Sequence, residues 1–172
     1  MTIISEEGYR GLSMRTIARR CGMSAPGLMH HFPDLPTLLL AVLDYRDERD
    51  VQATWPPGSV PNSGRELLDG MVAQMATDPQ AAQLFAVLET EALDPQHPAH
   101  AYFRARHART VEVLEPYLRE SVDDSHDAAR RIIAILDGLQ LHWLQDPKGF
   151  DLAAHWAAIA DAMLPPAPPT GS

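Results

Sequence analysis

The sequence predicts an all-α protein of about eight helices. Three observations predict it: apolar residues recur at three- and four-residue spacings, alternating β-branched runs are missing, and residues that favour helix starts precede one apolar stretch after another. The 172 residues suffice for one ordinary domain or two small ones. A chain of this length buries roughly 70% of its unfolded surface. With 45% hydrophobic and 22% charged residues the composition is globular, which excludes an intrinsically disordered chain. No apolar run approaches the roughly 18 residues of a membrane span. The N-terminus lacks the basic region and apolar stretch of a secretory signal, so the cytoplasm is the expected compartment. Cys21 is the single cysteine, which excludes a disulfide framework and a multi-cysteine zinc site.

The helices follow in order. Ser13 caps a short amphipathic helix whose Met14, Ile17, Ala18 and Cys21 share one face, and Gly22 ends it. Ser24 caps a second short helix, Ala25 to His31, with Pro26 tolerated in its first turn and Pro33 as its stop. Asp34 caps a longer helix reaching Asp50, with Leu35, Leu38, Leu39, Val42 and Leu43 as its stripe. Residues 51–64 hold three Pro and two Gly and read as a linker. Ser63 and Glu66 form a possible capping box for a helix over 64–77. Further helices are predicted over 79–93, opened by Asp78-Pro79; 98–121, opened by Pro98; 126–145, opened by Ser125; and 152–164, capped by Asp151. Residues 165–172 begin with a proline-rich run and are expected to form a disordered tail.

The formal charge of −9, taken alone, argues against binding DNA or anionic lipid. The charge is unevenly placed. Residues 1–43 carry four Arg against three acids, a net +1, while residues 44–172 carry ten basic residues against twenty acids, a net −10. The mildly basic stretch contains the two short helices, and their joint at Gly22-Met23-Ser24 is that of a helix-turn-helix. Such a unit packs its second helix on its first and offers the start of the second to a major groove. The backbone N–H groups at that start and the Ser24 hydroxyl favour a phosphate oxygen, and His30 and His31 can donate to phosphates. By spacing alone, a small helical hairpin inside an ordinary bundle is an equal reading.

Residues 8–43 resemble the DNA-binding segment of TetR-type transcriptional repressors. The pattern is a Gly-aromatic-x-Gly turn (Gly8-Tyr9-Arg10-Gly11), then Ser13, Ile17-Ala18, Cys21-Gly22-Met23-Ser24, and Leu28-Met29-His30-His31-Phe32 ahead of a leucine-rich helix. The resemblance implies a DNA-binding set. Ser13 and Arg15 open the positioning helix; Ser24, Ala25, Pro26 and Gly27 start the recognition helix; and Met29 and His30 stand at backbone-contact positions. Phe32 would anchor the core. The sequence departs from the family at Met29, usually Tyr, and at Leu35, usually Lys. With Ala25, Pro26 and Gly27 facing the groove, contact with thymine methyls and shape readout would carry more of the specificity. Only seven residues precede Gly8, so most of the family's expected first helix is absent from the sequence, with Ile3 and Ile4 as its last turn; either the start codon is assigned late or the regulator is truncated, and a truncated one would bind DNA weakly.

The resemblance divides the chain into a helix-turn-helix domain over 1–45 and an effector-binding and dimerisation domain over 46–164. Residues 135–147 resemble the dimerisation helix of one TetR branch. The expected interface comprises Ile135, Leu139, His142, Ala153, Trp156, Ala157 and Ala160, on helices apolar on more than one face; a buried helix pair inside a monomer is the other account. Met71, Met75, Phe85, Leu88, Tyr102, Phe103 and His107 are the candidate effector lining, with Glu89, Tyr102 or Gln140 to orient the ligand, although such stripes more often mean core. The implied protein is a homodimeric repressor that binds palindromic operator DNA and is released by a small molecule, with no membrane partner and no cofactor. Two other readings stand beside it. One is a dimeric ligand-binding protein that has lost DNA binding. The other is a metal or catalytic site at His97-x-x-His100 with His107 and Asp94, where a surface loop explains the spacing better. No phosphate-binding loop or nucleophile elbow is present, and no catalytic or metal residue is assigned.

Overall fold

The computed structural model describes residues 9–119 and 122–164, so the expected helical turn at Ile3 and Ile4 and the expected tail over 165–172 lie outside the described residues. The regular elements among the described residues are all helices, with no strand among them. A 3-10 turn, Tyr9–Gly11, leads into α1 (Met14–Arg20), α2 (Ala25–His31), α3 (Leu35–Thr54), α4 (Gly64–Thr77), α5 (Pro79–Glu91), α6 (His100–Leu118), α7 (Ser125–Gln145) and α8 (Leu152–Met163).

Local chemistry accounts for most boundaries. Ser13, Ser24, Ser63 and Asp151 each accept a backbone N–H three residues ahead, closing an otherwise open donor at the helix start. Several boundaries differ from the expected ones: α5 ends at Glu91 and not at 93, and α6 runs His100–Leu118 and not 98–121. Helix α3 continues through Val51–Thr54, because the first residue that blocks it is Pro56. Asp124, not Ser125, caps α7, its carboxylate accepting the Asp127 N–H at 2.9 Å. The Glu66 carboxylate reaches back past Ser63 to the Asn62 N–H at 2.8 Å and the Asn62 side-chain amide at 3.0 Å.

The chain folds as two compact units, neither of them a single stretch. The first combines residues up to Val51 with Gln80–Ala105. Its main core joins Leu12, Leu39 and Leu43 to Leu84, Leu88, Ala92, Ala99 and Phe103. Polar contacts tie the same segments at the edges of that core. The Tyr9 N–H donates to Glu91 Oε2 at 2.9 Å, and the Tyr102 hydroxyl donates to Asp47. Arg46 is buried on α3, and its guanidinium donates to Asp50 at 2.9 Å, four residues on.

The second unit combines Gln52–Pro79 with Arg106 onward. Here α8 packs on α4 and on α7. Buried Leu67, Leu68 and Val72 of α4, Ile132, Leu136 and Trp143 of α7, and Leu152, Trp156 and Ala160 of α8 supply its apolar interior. Asp69 takes the Trp156 indole N–H at 2.6 Å and the Arg65 guanidinium at 2.9 Å, and Arg65 also reaches Asp161 at 2.6 Å. Gly70 is required by close approach: a Cβ there would lie 2.8 Å from Thr54 Cγ2 and 3.0 Å from the Trp55 ring.

Leu43 is fully buried in the first core. Leu43→Ala is expected to lower stability by about 2–5 kcal/mol in urea denaturation, the range for a large buried aliphatic side chain left as a cavity. A loss below about 1 kcal/mol would place Leu43 outside the cooperative core.

Candidate nucleic-acid interface

Helices α1 and α2 are short, seven residues each, and neither would persist alone in water. What holds them is a small apolar cluster and the chemistry of their ends. Ala18 of α1, Leu28 of α2 and Leu38 of α3 are buried together, with Met14, Ile17, Ala25, Phe32 and Val42 packed around them. The Ser13 hydroxyl accepts the Thr16 N–H at 3.2 Å and lies 3.0 Å from the Thr16 hydroxyl. At the other end, Gly22 adopts φ +68°, the left-handed conformation that costs a glycine least. Its N–H donates to the Arg19 carbonyl at 3.2 Å, and the Met23 N–H donates to Ala18 at 2.8 Å. This pair of bonds is the Schellman closure, which turns the chain and satisfies two open carbonyls at once.

Ser24 then starts α2. Its hydroxyl oxygen accepts the Gly27 N–H at 3.0 Å, so one lone pair is committed to the cap while its own O–H stays available to a phosphate oxygen. Along α2 the residues sort by face. Ala25, Leu28 and Phe32 belong to the inner cluster, while Pro26, Met29 and His30 are exposed. Arg15 and Arg19 are exposed on α1. His30 and His31 meet edge to face, with ring centroids 5.5 Å apart. Of the eight residues expected to face DNA, Ser13, Arg15, Ser24, Pro26, Met29 and His30 are exposed, and Ala25 and Gly27 are half-buried.

Asp34 starts α3. Its carboxylate accepts the Thr37 N–H at 2.8 Å, and this backbone bond, with the Thr37 side chain second, holds the carboxyl below its usual range. Burial pushes the Tyr9 hydroxyl up, and the negative charge of Asp34 adds to that shift. The Tyr9 ring also meets His97 edge to face at 4.8 Å. This Tyr9–Glu91–His97 junction went unread in the sequence, because nothing local at Glu91 marks it as the partner of an N–H 82 positions earlier.

His97 departs from its expected place in a surface loop: the segment is a turn, but the imidazole is buried inside it. Its Nδ1 accepts the Ala99 N–H at 3.2 Å, and its Nε2 lies 4.0 Å from Glu91 Oε2. The His100 Nδ1–H donates to the Ala92 carbonyl at 2.8 Å. The spacing of these two histidines therefore serves the turn between α5 and α6. Among the described residues no group of three or more His, Cys, Asp or Glu is placed to hold a metal ion.

The residues expected to line an effector pocket divide between the units. Phe85, Leu88, Tyr102 and Phe103 belong to the first unit and pack in or against its core, with Phe103 4% exposed and Leu88 fully buried. Met71, Met75 and His107 are half-buried in the second unit. Of the residues expected at a dimer interface, Trp156 and Ala160 are buried inside the second unit itself. Ile135, Leu139 and Ala157 are half-buried; Ala153 and His142 are exposed. The His142 ring stacks on Phe150, whose other neighbour is His155 at 4.2 Å.

Comparison with known proteins adds the following. The family profile of bacterial regulatory proteins of the tetR family matches residues 1–42, and that of the C-terminal domain of BetI-type transcriptional repressors matches residues 64–164. Among solved structures, one from Rhodococcus sp., described as a TetR-family transcriptional regulator, shares the fold with a TM-score of 0.75. It is 22% identical, over 94% of this chain and 92% of that one. No curated protein sequence matches the chain significantly.

Two expectations follow from the end chemistry. A Cβ at Gly22 meets nothing within 4 Å, so Gly22→Ala pays conformational cost alone and is expected to lose about 1–2 kcal/mol in urea denaturation. An unchanged stability would mean that the turn does not hold the two helices. Asp34→Ala is expected to melt below the parent at neutral pH. Because the folded carboxyl titrates below its usual value of about 4, its contribution is present above that pH and lost as the pH falls through the folded value. The two melting curves should therefore converge in acid; a gap that persists there would refute the cap.

Proposed function

This chain belongs to the TetR family of bacterial regulatory proteins, and on that premise we propose that it is a ligand-responsive transcriptional repressor. It acts as a homodimer on palindromic operator DNA. The observation that carries the reading is the exposed array on α1 and α2, namely Arg15, Arg19, Ser24, Pro26, Met29 and His30, held on one small core by two serine caps and the Gly22 turn. Cations and hydroxyls at the rim of such an array neutralise and position phosphates, and α2 enters the major groove. In a two-fold dimer the recognition helices lie about one DNA turn apart, roughly 34 Å.

Dimerisation uses the outward parts of α7 and α8: Ile135, Leu139, His142, Ala153 and Ala157. The family's C-terminal match over 64–164 and the run of alanines on α8 support this placement. The effector, a small molecule, is bound by the C-terminal domain. Its binding shifts α3, which begins at Leu35 in the first unit and ends at Thr54 in the second, and so changes the spacing of the recognition helices. A coupling of about 1–3 kcal/mol is the usual size of such an effect. No helix among the described residues is long and apolar enough to cross a membrane.

The test is binding of the purified chain to the DNA that flanks its own coding sequence, measured by gel shift over a range of salt. Binding should weaken steeply as salt rises, because each neutralised phosphate releases counterions. Arg15→Ala should weaken binding to all bound sequences alike and lower the salt slope by about one unit. Failure to bind any flanking fragment at low salt would count against the proposal.

A further inference from the structure

The second half of α7 and the first half of α8 expose few groups that carry charge. From Ala134 to Gln145 the exposed residues are Ala134, Leu141, His142 and Gln145, while Asp137 is half-buried. From Ala153 to Ala158 they are Ala153, Ala154, His155 and Ala158. Gly138 adds open space on α7, since a Cβ there would meet nothing within 4 Å. In a chain of formal charge −9 such a surface is unusual, and depletion of charge marks the part of a surface that a partner covers. His142 and His155 are the exposed residues in these two stretches that can gain a charge, and histidine changes charge between about pH 5 and 8.

The two imidazoles are held in place. Both stack on Phe150, with centroids 6.0 Å and 4.2 Å from its ring and planes 20° and 18° from parallel. Phe150 is itself fixed, because its N–H donates to the Asp146 carbonyl at 2.9 Å. Among the described residues neither imidazole has a carboxylate within 4.0 Å. Asp146 and Asp151 accept the Gly149 and Ala154 N–H groups. On α4, Arg65 binds Asp69 and Asp161, and Asp69 also takes the Trp156 indole. Glu115 of α6 meets His126 at the far end of α7, Arg131 pairs with Asp127, and Lys148 is exposed in the loop. A partner that covers His142 and His155 thus removes water from two rings that have no carboxylate to balance a proton, and burial penalises the charged form.

Resting on the homodimer reading above, we infer that the dimer is proton-sensitive: His142 and His155 are neutral in it, and their protonation in mild acid separates the two copies. The two-fold axis repeats each imidazole, so acid brings like charges to both sides of one interface. Acidity is then a second input to the regulator, delivered where the copies meet. It lowers affinity for DNA because two linked recognition helices bind far better than one.

The test is sedimentation equilibrium of the full chain at about pH 8 and about pH 5.5, with far-UV circular dichroism at each. A histidine of reference pKa about 6.5 that must shed its proton to be covered weakens association about tenfold at the lower pH. With one such residue in each copy the dissociation constant should rise about a hundredfold, and further with two, while helicity stays the same. The double variant His142→Gln/His155→Gln should change its own constant less than about threefold over the same range, and each single variant should keep only part of the parent's shift. A parent constant that is equal at the two pH values would overturn the inference and leave the dimer intact, as would an acid shift that both single variants retain in full. Loss of helicity together with the dimer would assign the change to unfolding and overturn it too. A parent that is monomeric at the higher pH would overturn the homodimer reading as well.

Discussion

Leu39 and Leu43 of α3 need an apolar surface that residues up to Val51 do not provide. The chain supplies it from a later segment, placing Leu84, Leu88, Ala92, Ala99 and Phe103 against them. The rest of the first unit follows from this pairing. Leu12, just ahead of α1, joins the same core, and Tyr9 is anchored by the Glu91 carboxylate and the His97 ring. Helix α3, fixed on one side by this core, presents Leu38 and Val42 on another to the cluster beneath α1 and α2. The two short helices thus owe their persistence to a helix that is itself stabilised by chain far away in sequence. Polar groups at the margin are consistent with that burial: Arg46 enters the interior with a carboxylate at hand, since a buried charge without a partner would be strongly unfavourable.

What could be read from the sequence was set by locality. Ser13, Gly22, Ser24 and Asp34 act on backbone groups within five residues, so their type and spacing specify the ends of three helices directly. The same residues reveal the helix-turn-helix and the exposed set at its surface. Periodicity, by contrast, shows that a face is buried without showing what buries it. Trp156 and Ala160 sit on an apolar face of α8, as the sequence indicates, but that face turns inward to the unit's own core. Phe85, Leu88, Tyr102 and Phe103 form an apolar series with Met71, Met75 and His107 in the sequence, yet the two groups belong to different units. His97 was legible as part of a turn; its burial was not, because it depends on Tyr9 and Glu91 coming together.

The boundary differences have the same origin. The helix α3 outruns its expected end by one turn, since Gln52, Ala53 and Thr54 contain nothing that opposes a helix and Pro56 acts only on the residue before it. At α7 two adjacent residues, Asp124 and Ser125, are both competent caps, and the competition is resolved by the carboxylate. Neither outcome alters the pattern of buried faces, which is why the all-α architecture was legible even where single boundaries were not.

The placement of the aromatic residues has a spectroscopic consequence. All three tryptophans, Trp55, Trp143 and Trp156, belong to the second unit, while Tyr9, Tyr45 and Tyr102 belong to the first. Selective excitation of indole therefore reports on the second unit and is blind to the chromophores of the first. Trp156 adds chemical sensitivity, because its indole N–H is bonded to a carboxylate that also holds Arg65. Two of the three indoles, Trp143 and Trp156, also lie within residues 64–164, the stretch matched to the family's C-terminal domain, and Tyr117 is the one tyrosine that shares their unit.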